Sequence, residues 1–205
     1  MITGRDRARL NSALKELEQT GAEVKALLCD VRDTTSVEAM FAELRGKHQA
    51  IDVLINNAGV AHALAPVEKL SIAAWQDVIA TNLTGTFLVT RAALPLMHAG
   101  GTIVNNLSIA ALQVFSGMSA YNASKAGALG FTNVLREELR PKGIRVLALL
   151  PGATDTEIWQ QFWPDAPRER MVSTAAVAEA VLLAVNAPAN TAIEEIRIGP
   201  TGGAL

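Results

Sequence analysis

The sequence is short of cysteine, histidine and long apolar runs, and each shortage excludes a class of protein. Cys29 is the single cysteine among 205 residues, so an internal disulfide framework is excluded. Three histidines are scattered without cysteines or paired carboxylates at ligand spacing, so we expect no metal site. No apolar segment near the start resembles a signal peptide or a membrane span, so we expect a cytoplasmic protein.

The charge of the chain also excludes two kinds of partner. The formal net charge is −2 at pH 7, and no long block of like charge is present. Attraction to nucleic acid or to an anionic membrane surface needs a positive excess, so we expect neither partner. Half of the residues are apolar, and a chain of this length suits one domain with a sizeable core. Residues 1–205 are therefore expected to form a single domain.

Short apolar segments alternate with helical patterns along the chain. The apolar runs predict strands at residues 1–4, 23–30, 51–55, 102–107, 144–150 and 192–198. Helical spacing predicts helices at 5–19, 71–97, 119–139 and 173–186, and a further helix whose start shows a capping box, Thr35 with Glu38. This alternation predicts an α/β fold with a doubly wound, Rossmann-like parallel sheet. Such sheets bind ligands beyond the carboxyl ends of their strands.

A tyrosine and a lysine stand four residues apart in the predicted helix 119–139. Tyr121 and Lys125 therefore share one helical face. A phenol is a poor acid or base at neutral pH, and a nearby ammonium is expected to lower its pKa by favouring the phenolate. Ser108 follows a predicted strand, where its hydroxyl can hydrogen-bond to a substrate oxygen that Tyr121 protonates or deprotonates.

Three further motifs follow the same order along the chain. Asn56-Asn57-Ala58-Gly59 follows an apolar strand, the segment 82–85 (NLTG) lies inside a predicted helix, and the segment 151–156 (PGATDT) follows another strand. Together with Ser108, Tyr121 and Lys125, these motifs resemble the short-chain dehydrogenase/reductase family over nearly the whole chain. The resemblance implies an oxidoreductase that transfers a hydride between a nicotinamide cofactor and a carbonyl or secondary alcohol.

The resemblance also assigns roles to individual residues. It implies a catalytic set in which Asn82 helps to hold a water that links the lysine to solvent; a satisfied core amide is the alternative for Asn82. The cofactor-binding positions that match are Arg5, Asp30, Val31, Asn57, Ala58, Gly59, Tyr121, Lys125, Pro151, Gly152, Thr154 and Thr156. Asp30 would accept a hydrogen bond from the adenine amine, and Thr154 and Thr156 would contact the nicotinamide carboxamide.

One motif of the family has no counterpart in this sequence. The family begins with a strand and a glycine-rich turn whose backbone amides bind the cofactor pyrophosphate. Here Ala8 and Leu10 stand where the later glycines would fall, and the spacing from Gly4 to Asp30 fits the family's second and third strands. The first βα unit is therefore absent from this sequence, and we expect a fragment or an under-called start of a longer protein.

The residue after the first predicted strand bears on the choice of coenzyme. NAD-preferring members of the family carry a carboxylate where Gly4 stands, and Arg5 follows it. A guanidinium suits a 2′-phosphate by charge and by its forked donors, so we expect NADP(H) rather than NAD(H). The alternative is that Arg5 is only a surface charge at a helix start.

Several interpretations remain open on the sequence alone. Residues 159–164 (WQQFWP) hold three aromatics, which is consistent with a substrate lid and equally with ordinary hydrophobic packing. A non-catalytic nucleotide- or partner-binding protein, or an epimerase or dehydratase on the same fold, is the alternative to the reductase. The family resemblance further implies a homodimer or homotetramer and a small-molecule substrate.

Overall fold

A computed structural model describes residues 1–203 of the chain. The strands are β1 (Ile2–Gly4), β2 (Ala26–Leu28), β3 (Ile51–Asn56), β4 (Met97–Asn106), β5 (Arg145–Pro151) and β6 (Glu195–Ile198). The α-helices are α1 (Arg7–Glu18), α2 (Thr34–Arg45), α3 (Ile72–Ile79), α4 (Gly85–Ala93), α5 (Ser119–Leu139) and α6 (Thr174–Val185). The expected domain end at residue 205 lies outside the described residues.

The strands form two parallel sheets rather than one. β1 pairs with β2, and β3, β4, β5 and β6 form a four-stranded sheet in that order. Every pairing is parallel. The parallel α/β architecture predicted from the sequence is confirmed, and the division into two sheets agrees with the absence of one βα unit from this sequence.

The division leaves apolar strand residues open to solvent. Within residues 1–203, β1 pairs only with β2 and β3 pairs only with β4, so each has one free edge. Val53 and Ile55 of β3 are 37% and 53% exposed. Strands inside parallel α/β sheets are normally covered on both faces. Among residues 1–203, no helix or strand covers the face of β3 that carries Val53 and Ile55.

Helices pack on both faces of the larger sheet, although the face of β3 that carries Val53 and Ile55 stays exposed. On one face α2 and α4 pack against β2 and β3 through a cluster around Phe41 and Ala93. On that same face α5 packs on Ile103 of β4, which is fully buried, whereas its neighbour Val104 packs towards α6 on the opposite face. Successive strand residues point to opposite faces, so both sides are apolar. This packing makes the sheet doubly wound.

Two local predictions are wrong. The helix predicted over 71–97 is interrupted by a π-helical turn at Ala80–Thr84, and β4 already begins at Met97. The predicted capping box at Thr35 is replaced by Asp33, whose carboxylate accepts a hydrogen bond of 3.0 Å from the Thr35 amide. Aspartate is as good an N-cap as threonine, and Asp33 stands two residues before Thr35.

No helix among residues 1–203 combines the length and the apolar character needed to cross a bilayer. Across the same residues, histidine, cysteine and carboxylate side chains do not gather into a group of three that suits a metal ion.

Candidate active site

The carboxyl ends of the strands bring the predicted site residues to one edge of the fold. Arg5 follows β1, Asp30 follows β2, Asn57 follows β3, Ser108 follows β4 and Gly152 follows β5. All pairings within each of the two sheets are parallel, so the strand ends of one sheet face the same direction. The α5 helix adds the tyrosine and lysine from the side.

Tyr121 and Lys125 lie on one face of α5, as the four-residue spacing predicts. The Lys125 Nζ lies 5.6 Å from the centroid of the Tyr121 ring. The lysine is 6% exposed, and its ammonium donates a hydrogen bond of 3.0 Å to the carbonyl of Asn106. The amine is therefore held beside the phenol at the end of β4, and the half-buried tyrosine ring covers it.

Burial dominates the protonation of both groups. It lowers the pKa of the Lys125 ammonium from 10.5 to about 8. It also raises the pKa of the Tyr121 phenol above its ordinary value of 10.0, and the Ser108 hydroxyl offsets only part of this rise. The expectation that the ammonium lowers the pKa of the phenol is therefore wrong for this structure. The cost of removing a phenolate from water exceeds the opposing effect of the Ser108 hydrogen bond.

Ser108 begins a short 3-10 turn directly after β4. Its hydroxyl oxygen accepts a hydrogen bond of 3.1 Å from the Ala110 amide. Asn122 of α5 holds the same turn, because its side-chain amide donates to the Ala110 carbonyl at 2.8 Å. The Ser108 hydroxyl also lowers the pKa of the Tyr121 phenol through a side-chain hydrogen bond, so the two hydroxyls lie close together.

Asn82 lies in the π-helical turn and is 2% exposed. Its amide oxygen accepts from the Val60 amide at 2.9 Å, and its nitrogen donates to the Val60 carbonyl at 2.9 Å. The same nitrogen donates to the Ser124 hydroxyl at 3.0 Å. The side chain therefore joins the loop after β3 to the residue beside Lys125, which is the bonding expected of a satisfied core amide.

The loop after β3 passes over the lysine. Asn57, Ala58 and Gly59 are exposed, and a Cβ added to Gly59 would lie 3.7 Å from the Lys125 Nζ. A side chain at position 59 would therefore fill the space beside the amine. Asn56 points inward, where it donates to Asn105 at 2.8 Å and to Thr90 at 2.9 Å.

A group of charges surrounds the end of β2. Arg32 binds both carboxylate oxygens of Asp30, at 2.9 and 2.5 Å, and also reaches Asp77 at 2.5 Å. The pKa of Asp30 is lowered to about 2, chiefly by its hydrogen bonds to the Arg32 guanidinium, and the charge of Arg5 contributes to that lowering. Val31 contacts Gly85 so closely that a Cβ there would lie 2.8 Å from a Val31 methyl carbon. Asp30, the residue predicted to contact adenine, therefore already forms hydrogen bonds with Arg32.

The segment after β5 is tied to the rest of the fold. The Gly152 amide, which follows Pro151, donates to the Ile198 carbonyl at 2.7 Å, and the Thr154 hydroxyl donates to the Gly152 carbonyl at 3.1 Å. The carbonyl of Thr156 accepts from Arg168 at 2.7 Å. These bonds place both threonines at the same edge as the other strand ends.

The aromatic segment packs against itself and also contacts the site. Trp159 is 9% exposed, stacks on Phe162 at 4.7 Å between ring centroids, and donates to the Thr154 carbonyl at 2.8 Å. Gln161 accepts a hydrogen bond of 2.8 Å from the Ala61 amide, in the loop that Asn82 holds. Residues 159–164 therefore show both ordinary hydrophobic packing and contact with the loop beside the site.

Comparison with known proteins decides the family. The family model for short chain dehydrogenases matches residues 1–167. The chain belongs to the short chain dehydrogenase family. It is 35% identical over 177 residues to a 3beta-hydroxysteroid dehydrogenase of Mediterraneibacter gnavus. The aligned region covers 86% of this chain and 64% of that protein. The chain is 34% identical over 212 residues to sulfoacetaldehyde reductase 2 of Chromohalobacter salexigens, covering 98% and 84% of the two chains.

Solved structures of dehydrogenases share the fold. An alcohol dehydrogenase from Thermococcus sibiricus, complexed with 5-hydroxy-NADP, superposes with a TM-score of 0.87 at 25% identity. That match covers 99% of this chain and 86% of the other. Serine dehydrogenase from Escherichia coli gives a TM-score of 0.84 at 30% identity, covering 99% and 87%. The Rossmann-like fold inferred from the motifs is confirmed.

Sequence reasoning missed three residues that the structure places at this edge: Arg32, Asn106 and Gln161. The contacts of Arg32 with Asp77, of Asn106 with Lys125 and of Gln161 with Ala61 join residues distant in sequence, so periodicity does not signal them. The doubled asparagine at 105–106 was a visible signal, because two amides at the end of an apolar strand need partners.

Proposed function

We propose that the protein is an oxidoreductase that transfers a hydride between NADP(H) and a carbonyl or secondary alcohol. The observation that carries this proposal is the pairing of Tyr121 with Lys125, 5.6 Å from ring centroid to amine, beside Ser108. A buried amine and phenol have no evident structural reason to share one site. Relatives that are named as dehydrogenases and reductases support the same reaction class.

Each side chain has a defined task in the proposed reaction. In reduction Tyr121 donates its hydroxyl proton to the substrate oxygen, and in oxidation it accepts the alcohol proton. Ser108 donates a hydrogen bond that positions and polarises the same oxygen. Lys125, charged below its pKa of about 8, stabilises the phenolate that forms when the proton leaves. Asn82 holds the loop beside Lys125, and we retain its part in the proton route as a proposal.

The residues at the strand ends suit a nicotinamide cofactor, which would supply the hydride acceptor or donor. The exposed backbone of Asn57, Ala58 and Gly59 offers a close approach that a side chain at position 59 would block. Lys125 has ammonium donors left for a ribose hydroxyl after its bond to Asn106. Val31, Pro151 and Gly152 would line the adenine and nicotinamide ends, and Thr154 and Thr156 would contact the carboxamide.

The arginines near Asp30 favour the phosphorylated coenzyme. Arg5 is exposed, and its charge acts on Asp30. Arg32 already neutralises Asp30, so Arg5 is left to meet a 2′-phosphate. Several structures that share the fold are complexes with NADP or 5-hydroxy-NADP, including the Thermococcus enzyme. We expect Arg5→Ala to raise the KM for NADPH about tenfold, the effect of one charge-assisted contact, and to leave the KM for NADH nearly unchanged. Equal effects on both coenzymes would contradict this preference.

Removal of the tyrosine hydroxyl tests the reaction itself. Tyr121→Phe should lower turnover by at least about 10²-fold while cofactor affinity is nearly kept, as expected for a general acid. The assay follows NADPH absorbance with a panel of ketones, 3-oxoacyl thioesters and hydroxy acids. Near-normal turnover of the variant would reject the assignment. Conversion of substrate without net loss of NADPH would instead indicate an epimerase or dehydratase, and cofactor binding without turnover a non-catalytic relative.

Exposed apolar residues on α4 and α5 support assembly into a homodimer or homotetramer. Phe87 and Val134 are 43% and 57% exposed, and Phe87 packs edge-on against Phe131 with 5.9 Å between ring centroids. Large exposed apolar side chains on adjacent helices are typical of subunit contacts. Val134→Glu should therefore lower the mass measured by light scattering, and an unchanged mass would place the contact elsewhere.

A further inference from the structure

The two asparagines at the end of β4 have different partners. Asn105 is fully buried, donates to the Thr132 hydroxyl at 2.9 Å and accepts from Asn56 at 2.8 Å. Its amide therefore links β3, β4 and α5 inside the core. Asn106 points to the opposite side of the strand, as the period of two requires, and takes no part in that network.

Asn106 instead connects the catalytic amine to the loop after β3. Its backbone carbonyl accepts the hydrogen bond from the Lys125 Nζ at 3.0 Å. Its side-chain nitrogen donates to the Asn57 amide oxygen at 2.6 Å. One residue thus contacts both the lysine and the first residue of the exposed 57–59 segment.

The loop is fixed at its other end by a second amide. Asn82 holds both the amide and the carbonyl of Val60. Between these two attachment points Gly59 passes over the Lys125 amine, close enough that a Cβ would lie 3.7 Å from the nitrogen. Asn106 and Asn82 therefore clamp residues 57–60 on top of the amine.

Stability does not explain an amide at position 106. Its Oδ1 atom is buried and has no hydrogen-bond partner within the described part of the chain. An unpaired buried acceptor is unfavourable, whereas a leucine of similar shape would carry no unpaired group. A group that costs stability and touches the reacting machinery calls for a functional explanation.

We propose that Asn106 is a positioning residue. It holds the 57–60 loop against Lys125, and the loop shields the amine from water and keeps it aligned with Tyr121. The inference deepens the proposed function and rests on it for the catalytic consequence. The effect on the amine itself does not need a reaction. Tyr121 is the titratable group that faces Lys125. The strand and the loop packed on the amine present backbone and side-chain amide groups, which carry no charge. Burial is accordingly the cause of the lowered pKa of Lys125.

The test is a double-mutant cycle on the Asn57–Asn106 hydrogen bond. Asn106→Leu and Asn57→Ala should each lower kcat/KM about tenfold, or 1.4 kcal/mol, and the double variant should lose about tenfold rather than a hundredfold. The thermal midpoint of Asn106→Leu should be equal to that of the wild type or higher. Asn57 is exposed, so Asn57→Ala should fold even if Asn106→Leu does not, and the Lys125 pKa of that single variant then tests the contact.

A second readout separates this proposal from the proposed function. The pKa of Lys125 can be followed by NMR of its Cε group, and it should rise from about 8 towards 10.5 in both single variants as water reaches the amine. A wild-type protein without turnover would refute the oxidoreductase, yet the shift in the Lys125 pKa would still be measurable. An unchanged Lys125 pKa, or a multiplicative hundredfold loss in the double variant, would overturn the positioning role.

Discussion

Lys125→Met should stabilise the fold while it abolishes the proposed chemistry. Burial lowers the pKa of the Lys125 ammonium from 10.5 to about 8. At about 1.36 kcal/mol per pH unit, this lowering means that the charge costs the folded state about 3 kcal/mol at pH 7. Methionine fills similar space without charge, but it leaves the Asn106 carbonyl unpaired, at a cost of about 1 kcal/mol. We therefore expect a net gain of about 2 kcal/mol at pH 7.

The pH dependence of that gain is the sharper part of the prediction. Between pH 8 and pH 10.5 the unfolded chain binds the lysine proton more strongly than the folded chain does. The stability of the wild type therefore rises with pH in this window, and the variant lacks that rise. At pH 9.5 the charge costs the fold roughly half of its value at pH 7, so the advantage of the variant should nearly disappear.

Urea unfolding followed by tryptophan fluorescence at pH 7 and pH 9.5 measures both quantities. Lys142→Met is the matched control, because Lys142 is exposed and its replacement should change stability by less than about 0.5 kcal/mol. Cys29 and Tyr121 are common to the wild type and the variant, so their own ionisation largely cancels in the difference. A variant no more stable than the wild type at pH 7, or a gain that is equal at both pH values, would show that the amine carries no burial penalty.

Two further predictions use features peculiar to this chain. Tyr121 is its single tyrosine, so the ultraviolet absorbance of phenolate reports this residue alone; half-ionisation should occur above pH 10, and Ser108→Ala should move it higher still. A midpoint below 10 would contradict the dominance of burial. Gly85→Ala should lower the free energy of unfolding by about 1–3 kcal/mol, because its Cβ would lie 2.8 Å from Val31, and Val31→Ala should restore part of the loss. Additive losses in the double variant would show that this contact is not the cause.

The parallel α/β fold could be predicted because short apolar runs, typical of buried strands, alternate with segments whose apolar residues recur at helical spacing. The sequence also predicted that Tyr121 and Lys125 meet, since four residues make one helical turn. Periodicity could not predict the π-helical turn at Asn82, because it continues the apolar pattern of the helices on both sides. Nor could it predict Arg32 between Asp30 and Asp77, because that contact joins residues 45 positions apart.

The opposite pKa directions of Tyr121 and Lys125 follow from one cause. Each group would have to carry a charge in a site that excludes water, and desolvation opposes the charged form whether it is a phenolate or an ammonium. The lysine pKa therefore falls while the tyrosine pKa rises, and the two values, close together in free side chains, move apart. Near neutral pH the pair holds both protons, which makes Tyr121 ready to donate in reduction. The phenolate forms easily only when its charge is balanced at the moment of transfer, and the ammonium 5.6 Å from the ring centroid can provide that balance below about pH 8.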